Sequence, residues 1–162
     1  MHARIEPDRR SFARVAHALD EEADGERLRR DLVAGFEEIL DDVMREQKAG
    51  LMGMSSAGLP HAGEPLRTAI ADRMEVQIKL SGRSAGARIV AHRRGLPRGF
   101  GNAPKRTNAR SWRHRVYGRD VWVTQIGAPG WFDDPVKAHR TRYRAAARRV
   151  LVDMSQRIAR GA

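Results

Sequence analysis

The amino-acid sequence predicts an α+β fold, in which N-terminal amphipathic helices and a long C-terminal helix pack against a small antiparallel sheet of about three strands. Three observations predict this fold. Apolar residues recur at three- and four-residue spacing in the first 48 residues and again after residue 133. Between these segments, apolar and polar residues alternate in short runs that are typical of strands. The length of 162 residues fits one domain, so we assign residues 1–162 to a single domain.

Residues 1–48 form a predicted helical arm with one break. Apolar residues make two stripes at helical spacing, and mostly charged residues fill the positions between them. The break is expected near Asp24 and Gly25, because glycine lowers helix stability by roughly 1 kcal/mol relative to alanine. The first stripe contains Phe12, Val15, Ala16 and Leu19, and the second contains Leu28, Leu32, Phe36, Ile39, Leu40 and Val43.

Residues 49–64 are predicted to form a loop, because glycine, serine and proline are concentrated there. The leucines and methionines of this loop either cover the edge of the core or contact a neighbouring subunit. A helical turn that starts at Pro65 then opens the sheet region, residues 65–132. Alternation of apolar and polar residues predicts a β-hairpin and one further strand, at residues 74–80, 87–91 and 121–126.

The longest irregular stretch of the sheet region is residues 93–111, which are rich in Gly, Pro, Asn and Arg. Loops of more than about 12–15 residues are uncommon in compact domains. We therefore expect this loop either to have a function or to be disordered until a partner binds.

Residues 133–162 are predicted to form the C-terminal helix, with Asp134 as its N-cap and Pro135 at its first position. Its apolar stripe includes Tyr143 and Leu151, and arginines cover the opposite face. We expect the apolar stripe to pack on the sheet.

The composition excludes several classes of protein. The chain has no cysteine, which excludes disulfide scaffolds, thiol nucleophiles and iron–sulfur clusters. No run approaches the roughly 20 apolar residues of a membrane span, and the N-terminus lacks a secretory signal, so we expect a cytoplasmic chain. The six histidines lack metal-binding helical spacing, and phosphate-loop and nucleophile motifs are absent. We therefore expect no enzymatic activity, no metal and no cofactor.

Charge divides the sequence into two unlike halves. The chain has 31 Lys and Arg against 20 Asp and Glu, a net charge of +11. Residues 1–64 carry a net charge of −5, whereas residues 65–162 carry +16. Nucleic acid, an anionic membrane and an acidic protein surface all attract such a chain. We interpret the two halves as complementary contact surfaces of neighbouring subunits.

All three tryptophans lie between residues 112 and 132. The segment reads W-R-H-x-V-x-G from Trp112, W-V-x-Q from Trp122 and P-G-W-F from Pro129, before the closing helix. This pattern resembles the neck and tail-completion proteins of long-tailed bacteriophages, the gp-ten-like tail-component family of HK-ninety-seven-type siphophages. The order of the preceding parts is similar to that family over nearly the whole chain. Family members commonly have Pro after the His of the R-H motif, where this chain has Arg115.

The resemblance implies a non-enzymatic structural protein of the virion, assembled in the host cytoplasm. It would form a homo-oligomeric ring, with six-fold symmetry expected, in the neck at the head–tail junction, where tail completion and head–tail joining require it. The implied partners are neighbouring neck, stopper or adaptor and tail-tube proteins, together with DNA that passes without sequence-specific contact. No membrane partner is implied.

Two other functions stay open, a tail terminator ring and a basic nucleic-acid-binding protein. Arginine interleaved with tryptophan and tyrosine suits phosphate contact and base stacking. A strongly basic channel wall would hold the passing DNA, so we expect the arginines of residues 137–160 to face protein neighbours. The tryptophans have an alternative role as the core between the sheet and the last helix. The candidate interface residues are Trp112, Arg113, His114, Tyr117, Trp122, Trp131, Phe132, Arg148 and Arg149.

Overall fold

Helices and short antiparallel strands share the chain in a computed structural model, which confirms the mixed α and β composition and the long C-terminal helix. The structure describes residues 2–5, 9–21, 25–54, 65–81, 86–115 and 119–160. In chain order, the elements are β1 (His2–Ile5), α1 (Arg9–Glu21), α2 (Gly25–Met52), α3 (Leu66–Ala71), β2 (Met74–Lys79), β3 (Gly86–Ala91), α4 (Ala103–Thr107), β4 (Ser111–Arg115), β5 (Trp122–Ile126), α5 (Asp134–Ala138) and α6 (Arg140–Ala159).

The two N-terminal helices follow the predicted stripes. Helix α1 ends at Glu21 and α2 begins at Gly25, which confirms the predicted break. Val15 and Leu19 of α1 are buried, whereas the side chains of Phe12 and Ala16 lie outside the described residues. The buried stripe of α2 contains Gly25, Leu28, Leu32, Phe36, Leu40, Val43, Gln47 and Leu51.

The predicted start of the loop at residue 49 is wrong. Helix α2 continues to Met52, because Leu51 extends the apolar stripe by another turn and is fully buried. Leu51 therefore covers the core, which is the first of the two roles expected for the apolar residues of this segment. Residues 55–64, the rest of the predicted loop, lie outside the described residues.

The strands form two sheets, so the prediction of one three-stranded sheet that includes residues 121–126 is wrong. The predicted hairpin is present as β2 and β3, with Met74 opposite Ala91 and Val76 opposite Ile89. The third strand of that sheet is β1, which pairs with the other edge of β3. The predicted helical arm, residues 1–48, therefore begins with a strand rather than a helix. Strand β5 instead pairs with β4 in a separate hairpin, because the segment after the loop also alternates and provides an antiparallel partner.

The expected irregular stretch at residues 93–111 contains a short helix, α4, and the start of β4. Helix α4 buries Ala103, Pro104 and Thr107 against the rest of the chain. The Thr107 hydroxyl donates to helix carbonyls, with oxygen distances of 2.9 Å to Ala103 and 3.1 Å to Pro104. Local packing therefore organises the second half of this stretch.

The C-terminal helix differs from the prediction in three ways. It is interrupted at His139, which separates α5 from α6, and the N-cap of α5 is Asp133 rather than Asp134. Helix α6 packs on α1 and α2 and reaches the sheet at β1, while α2 packs on β2 and β3. The reason is the buried stripe of α6, including Tyr143 and Leu151, which belongs to the same apolar cluster as the stripe of α2.

Close approach of α2 and α6 depends on a small residue. A Cβ atom at Gly35 of α2 would lie 3.0 Å from a methyl group of Val150 of α6.

Within the described residues, no helix combines the length and apolar character needed to cross a membrane.

Candidate functional site

The β4–β5 hairpin carries most of the predicted interface residues, and its register sorts them onto two faces. Trp112 lies opposite Gln125, and His114 lies opposite Val123. Directly paired residues of antiparallel strands share a face. We call the face with these four residues the inner face. The outer face consists of Ser111, Arg113, Arg115, Trp122, Thr124 and Ile126.

The inner face contacts the preceding loop through His114, and strand β4 also contacts α4. Trp112, His114 and Val123 are half-buried. The His114 ring meets the Phe100 ring edge-on, with 6.1 Å between centroids, and its Nε2 lies 3.4 Å from Nε2 of Gln125. The Phe100 contact joins this side of the hairpin to the preceding loop, whereas the approach of His114 to Gln125 lies within the hairpin.

The outer face is solvent-exposed. Trp122 is 56% exposed and Ile126 is 71% exposed. The Arg113 guanidinium lies 5.7 Å from the centre of the Trp122 ring, a cation–π contact across the strands. Arg115 donates to Asp120 at 2.7 Å, close to the end of the hairpin. Tyr117, also predicted at the interface, lies outside the described residues.

Trp131 and Phe132, in contrast, are buried in the core, which is the alternative role predicted for the tryptophans. A turn from Ala128 to Trp131 delivers them there, with Pro129 at its second position and Gly130 at a φ of 84°. This is the geometry of a type II turn, which favours proline followed by glycine. The rings of Trp131 and Phe132 meet edge-on, with centroids 5.3 Å apart. The P-G-W-F element therefore fastens the end of β5 to the body of the chain.

Three polar residues that sequence reasoning did not single out hold this element in place. The Asn108 side chain accepts from the backbone NH of Phe132 at 3.2 Å and donates to Asp133 at 2.9 Å. The Trp131 indole donates to the Thr107 hydroxyl at 3.3 Å. Gln47, fully buried on α2, donates from Nε2 to the Phe132 carbonyl at 2.6 Å.

The contact of α2 with this element is close as well as polar. A Cβ at Gly50 would lie 3.4 Å from Cβ of Trp131, so the end of α2 lies directly against the tryptophan. We call the combination of Gln47, Thr107, Asn108, Trp131 and Phe132 the anchor.

Arg148 and Arg149, the remaining candidates, are exposed on α6. Neither has an ion pair with another residue that the structure describes. Two other arginines of α6 pair with carboxylates of α2, at 3.4 Å for Arg142 with Asp42 and at 2.6 Å for Arg157 with Asp31. Part of the charge complementarity that we expected between subunits therefore lies within one chain.

Tyr143 joins the same α2–α6 contact. Its hydroxyl donates to Glu46 at 3.5 Å, and His139 lies 3.4 Å from the same carboxylate. Burial, followed by the nearby Glu46 charge, raises the pKa of Tyr143 above its ordinary value. In the part of the chain that the structure describes, no group of three or more histidine or acidic side chains is placed to hold a metal ion.

The chain matches no protein-family model, and comparisons with curated proteins and with solved structures found no match.

Proposed function

We propose that this protein is a structural component of a long-tailed bacteriophage virion, part of a homo-oligomeric ring in the neck at the head–tail junction. It has no catalytic role in this proposal, and it contributes to tail completion and head–tail joining. The aromatic sequence pattern from Trp112 to Phe132 directs the proposal to this class of protein.

The observation that carries the proposal is the exposed outer face of the β4–β5 hairpin. Trp122 and Ile126 leave large apolar surfaces in water, and neighbouring Val121 is 53% exposed. Each strand pairs only with the other among the described strands, so both have an unpaired edge. Two-stranded hairpins are only marginally stable alone, and unpaired edges readily accept a strand from another chain. A protein neighbour that covers the outer face and adds a strand at one edge would bury the apolar surface and pair that edge.

The anchor supports the same proposal. Burial of Trp131 and Phe132 fixes the end of β5, and Gln47 joins that end to α2. The end of the hairpin is therefore held by buried residues, while its outer face remains accessible to a partner. In a ring, one surface meets a different surface of the next subunit, so a projecting element on one side suits such contacts.

Electron microscopy of lysates from a phage in which this gene is inactivated tests the proposal. DNA-filled heads beside unjoined tails are the expected result, because the junction would lack one of its rings. Virions of normal appearance would overturn the proposal, and tails of uncontrolled length would favour the tail terminator instead.

Reversal of charge at Arg148 and Arg149 tests whether α6 faces a protein neighbour. We expect Arg148→Glu with Arg149→Glu to prevent incorporation into virions, because both side chains are exposed and have no ion pair among the described residues. The control, Arg148→Lys with Arg149→Lys, retains the charge and should be incorporated normally. Quantitative blotting of purified particles measures both variants, and normal incorporation of the glutamate variant would contradict this role for α6.

A further inference from the structure

A second surface, separate from the outer face of the hairpin, is formed by the loop after β3 together with α4. We propose that this surface binds the phosphate backbone of nucleic acid without reading its sequence. We call it the basic loop surface and define it by its cations, Arg93, Arg94, Arg98, Lys105, Arg106 and Arg110.

The charge of this region is uncompensated. Residues 76–119 contain twelve Lys and Arg and no Asp or Glu. None of the six cations of the basic loop surface has an ion pair with a residue that the structure describes, and all except half-buried Arg106 are exposed. Neighbouring carboxylates have other partners: Glu75 pairs with His92 at 2.7 Å, and Asp133 accepts from Asn108.

The loop that carries these cations is folded onto the body of the chain. Leu96 and Phe100 pack against the core, and successive turns link Phe100 to Pro97 and Ala103 to Phe100 through backbone hydrogen bonds of 2.9 and 2.8 Å. Helix α4 buries Ala103, Pro104 and Thr107, so Lys105 lies on its exposed side. The cations are therefore held on a scaffold rather than spread along an extended chain.

The composition of the surface favours nucleic acid over a protein partner. A specific protein interface has an apolar centre surrounded by polar residues. The apolar side chains of this region, Leu96 and Phe100, are turned partly inward, and none of the large exposed apolar side chains lies between residues 93 and 110. The outer face of the hairpin, in contrast, has both Trp122 and Ile126 exposed.

A second copy of the chain would neutralise this surface only in part. Among the described side chains, the exposed carboxylates without an ion pair are Glu37, Glu38, Asp41, Asp72 and Asp153. Only the first three share an element, α2, so one element of a second copy offers half as many charges as the six cations of the basic loop surface. Duplex DNA carries one negative charge per roughly 1.7 Å of its axis, so it provides a phosphate for every cation within a short length.

Binding of a fluorescently labelled 20-base-pair duplex, followed by anisotropy between 50 and 200 mM salt, tests the inference. Six phosphate contacts predict a slope of log K against log salt of about −5, which is about a thousand-fold loss of affinity over this range. The triple variant Arg93→Gln, Arg94→Gln, Arg98→Gln should make the slope less steep by about 3.

The matched control removes the same charge from α6. The variant Arg140→Gln, Arg144→Gln, Arg160→Gln replaces three exposed arginines that have no ion pair among the described residues, and it should retain the slope of the unmodified protein. Circular dichroism melting curves show that each variant is folded.

Three results would overturn the inference: no binding at 50 mM salt, equal changes of slope in both triple variants, or an unchanged slope in the loop variant. The inference goes beyond the ring proposal and fails separately from it. If the loop variant bound DNA normally but were missing from virions, these arginines would contact protein, and the ring proposal would stand.

Discussion

Trp122 and Trp131 belong to the same aromatic segment, yet the structure gives them opposite environments. Trp131 is 4% exposed and donates a hydrogen bond to Thr107, whereas Trp122 is 56% exposed and contacts Arg113. Only nine positions separate them along the chain. A cluster of aromatic residues in a sequence therefore does not mark a single site, since one part stabilises the fold and another is available to a partner.

The arginines show the same division. Arg142 and Arg157 of α6 neutralise carboxylates of α2, and so belong to the internal packing of two helices. Arg148 and Arg149 on the same helix are exposed, as are five of the six cations of the basic loop surface. Net charge alone does not separate these groups, because only the three-dimensional neighbours decide which charges are already compensated.

The largest effect is expected from Trp131→Ala, which tests whether the anchor holds the fold together. Removal of a buried tryptophan leaves a cavity and should lower the free energy of unfolding by about 3–5 kcal/mol. Urea denaturation measures this loss. Trp131→Phe retains most of the packing and removes the indole hydrogen bond to Thr107, so its loss should be clearly smaller. A loss below 1 kcal/mol for the alanine variant would mean that the anchor is not part of the stabilising core.

An intermediate effect is expected from Asn108→Ala. The side chain satisfies the backbone NH of Phe132 and donates to Asp133, and loss of such contacts at a half-buried site costs about 1–3 kcal/mol. Gln125→Ala is the matched control on the hairpin, because it removes an exposed amide whose side-chain contact is a 3.4 Å approach to His114. Thermal melting of both variants should show a clear decrease for Asn108 only, and equal decreases would contradict the distinction between anchor and hairpin.

Local sequence patterns predicted the helices and strands better than they predicted which of these elements pair or pack together. The stripe from Leu28 to Val43 and the alternation from Met74 to Leu80 are visible in short windows of sequence, and both elements form where expected. The partner of residues 122–126 is the nearby strand β4, which was hidden at the end of a loop rich in Gly and Arg. The pairing of β1 with β3, in contrast, joins segments far apart in the sequence. The packing of α6 on α2 likewise depends on tertiary contacts that periodicity does not encode.

One residue of the anchor, Gln47, could have been identified from the sequence. Gln47 continues the apolar stripe of α2 after Leu40 and Val43, so a polar side chain was due to be buried there and to need a hydrogen-bond partner. Its partner, the Phe132 carbonyl, lies 85 positions away and could not be identified from spacing. Asn108 gave no such signal, because Asn is ordinary in a turn and only the fold brings it to Phe132.

The smallest effect on stability is expected from Trp122→Ser. This variant tests most directly whether Trp122 and Trp131 differ in their contribution to the fold. More than half of this side chain is already in water, and its contact with Arg113 is exposed, so the free energy of unfolding should fall by less than about 1 kcal/mol. Urea denaturation under the conditions used for the Trp131 variants makes the two values comparable.

Trp122→Ser should have a large effect on incorporation into virions although its effect on stability is small. Because the exposed tryptophan would be covered by a neighbouring subunit, Trp122→Ser should reduce incorporation while the protein stays folded. Thr124→Ser is the control, since it alters an exposed residue of the same face with little change in apolar area. If Trp122→Ser destabilised the chain as strongly as Trp131→Ala, the hairpin would belong to the core. If it left both stability and incorporation unchanged, the outer face would have no partner in the virion.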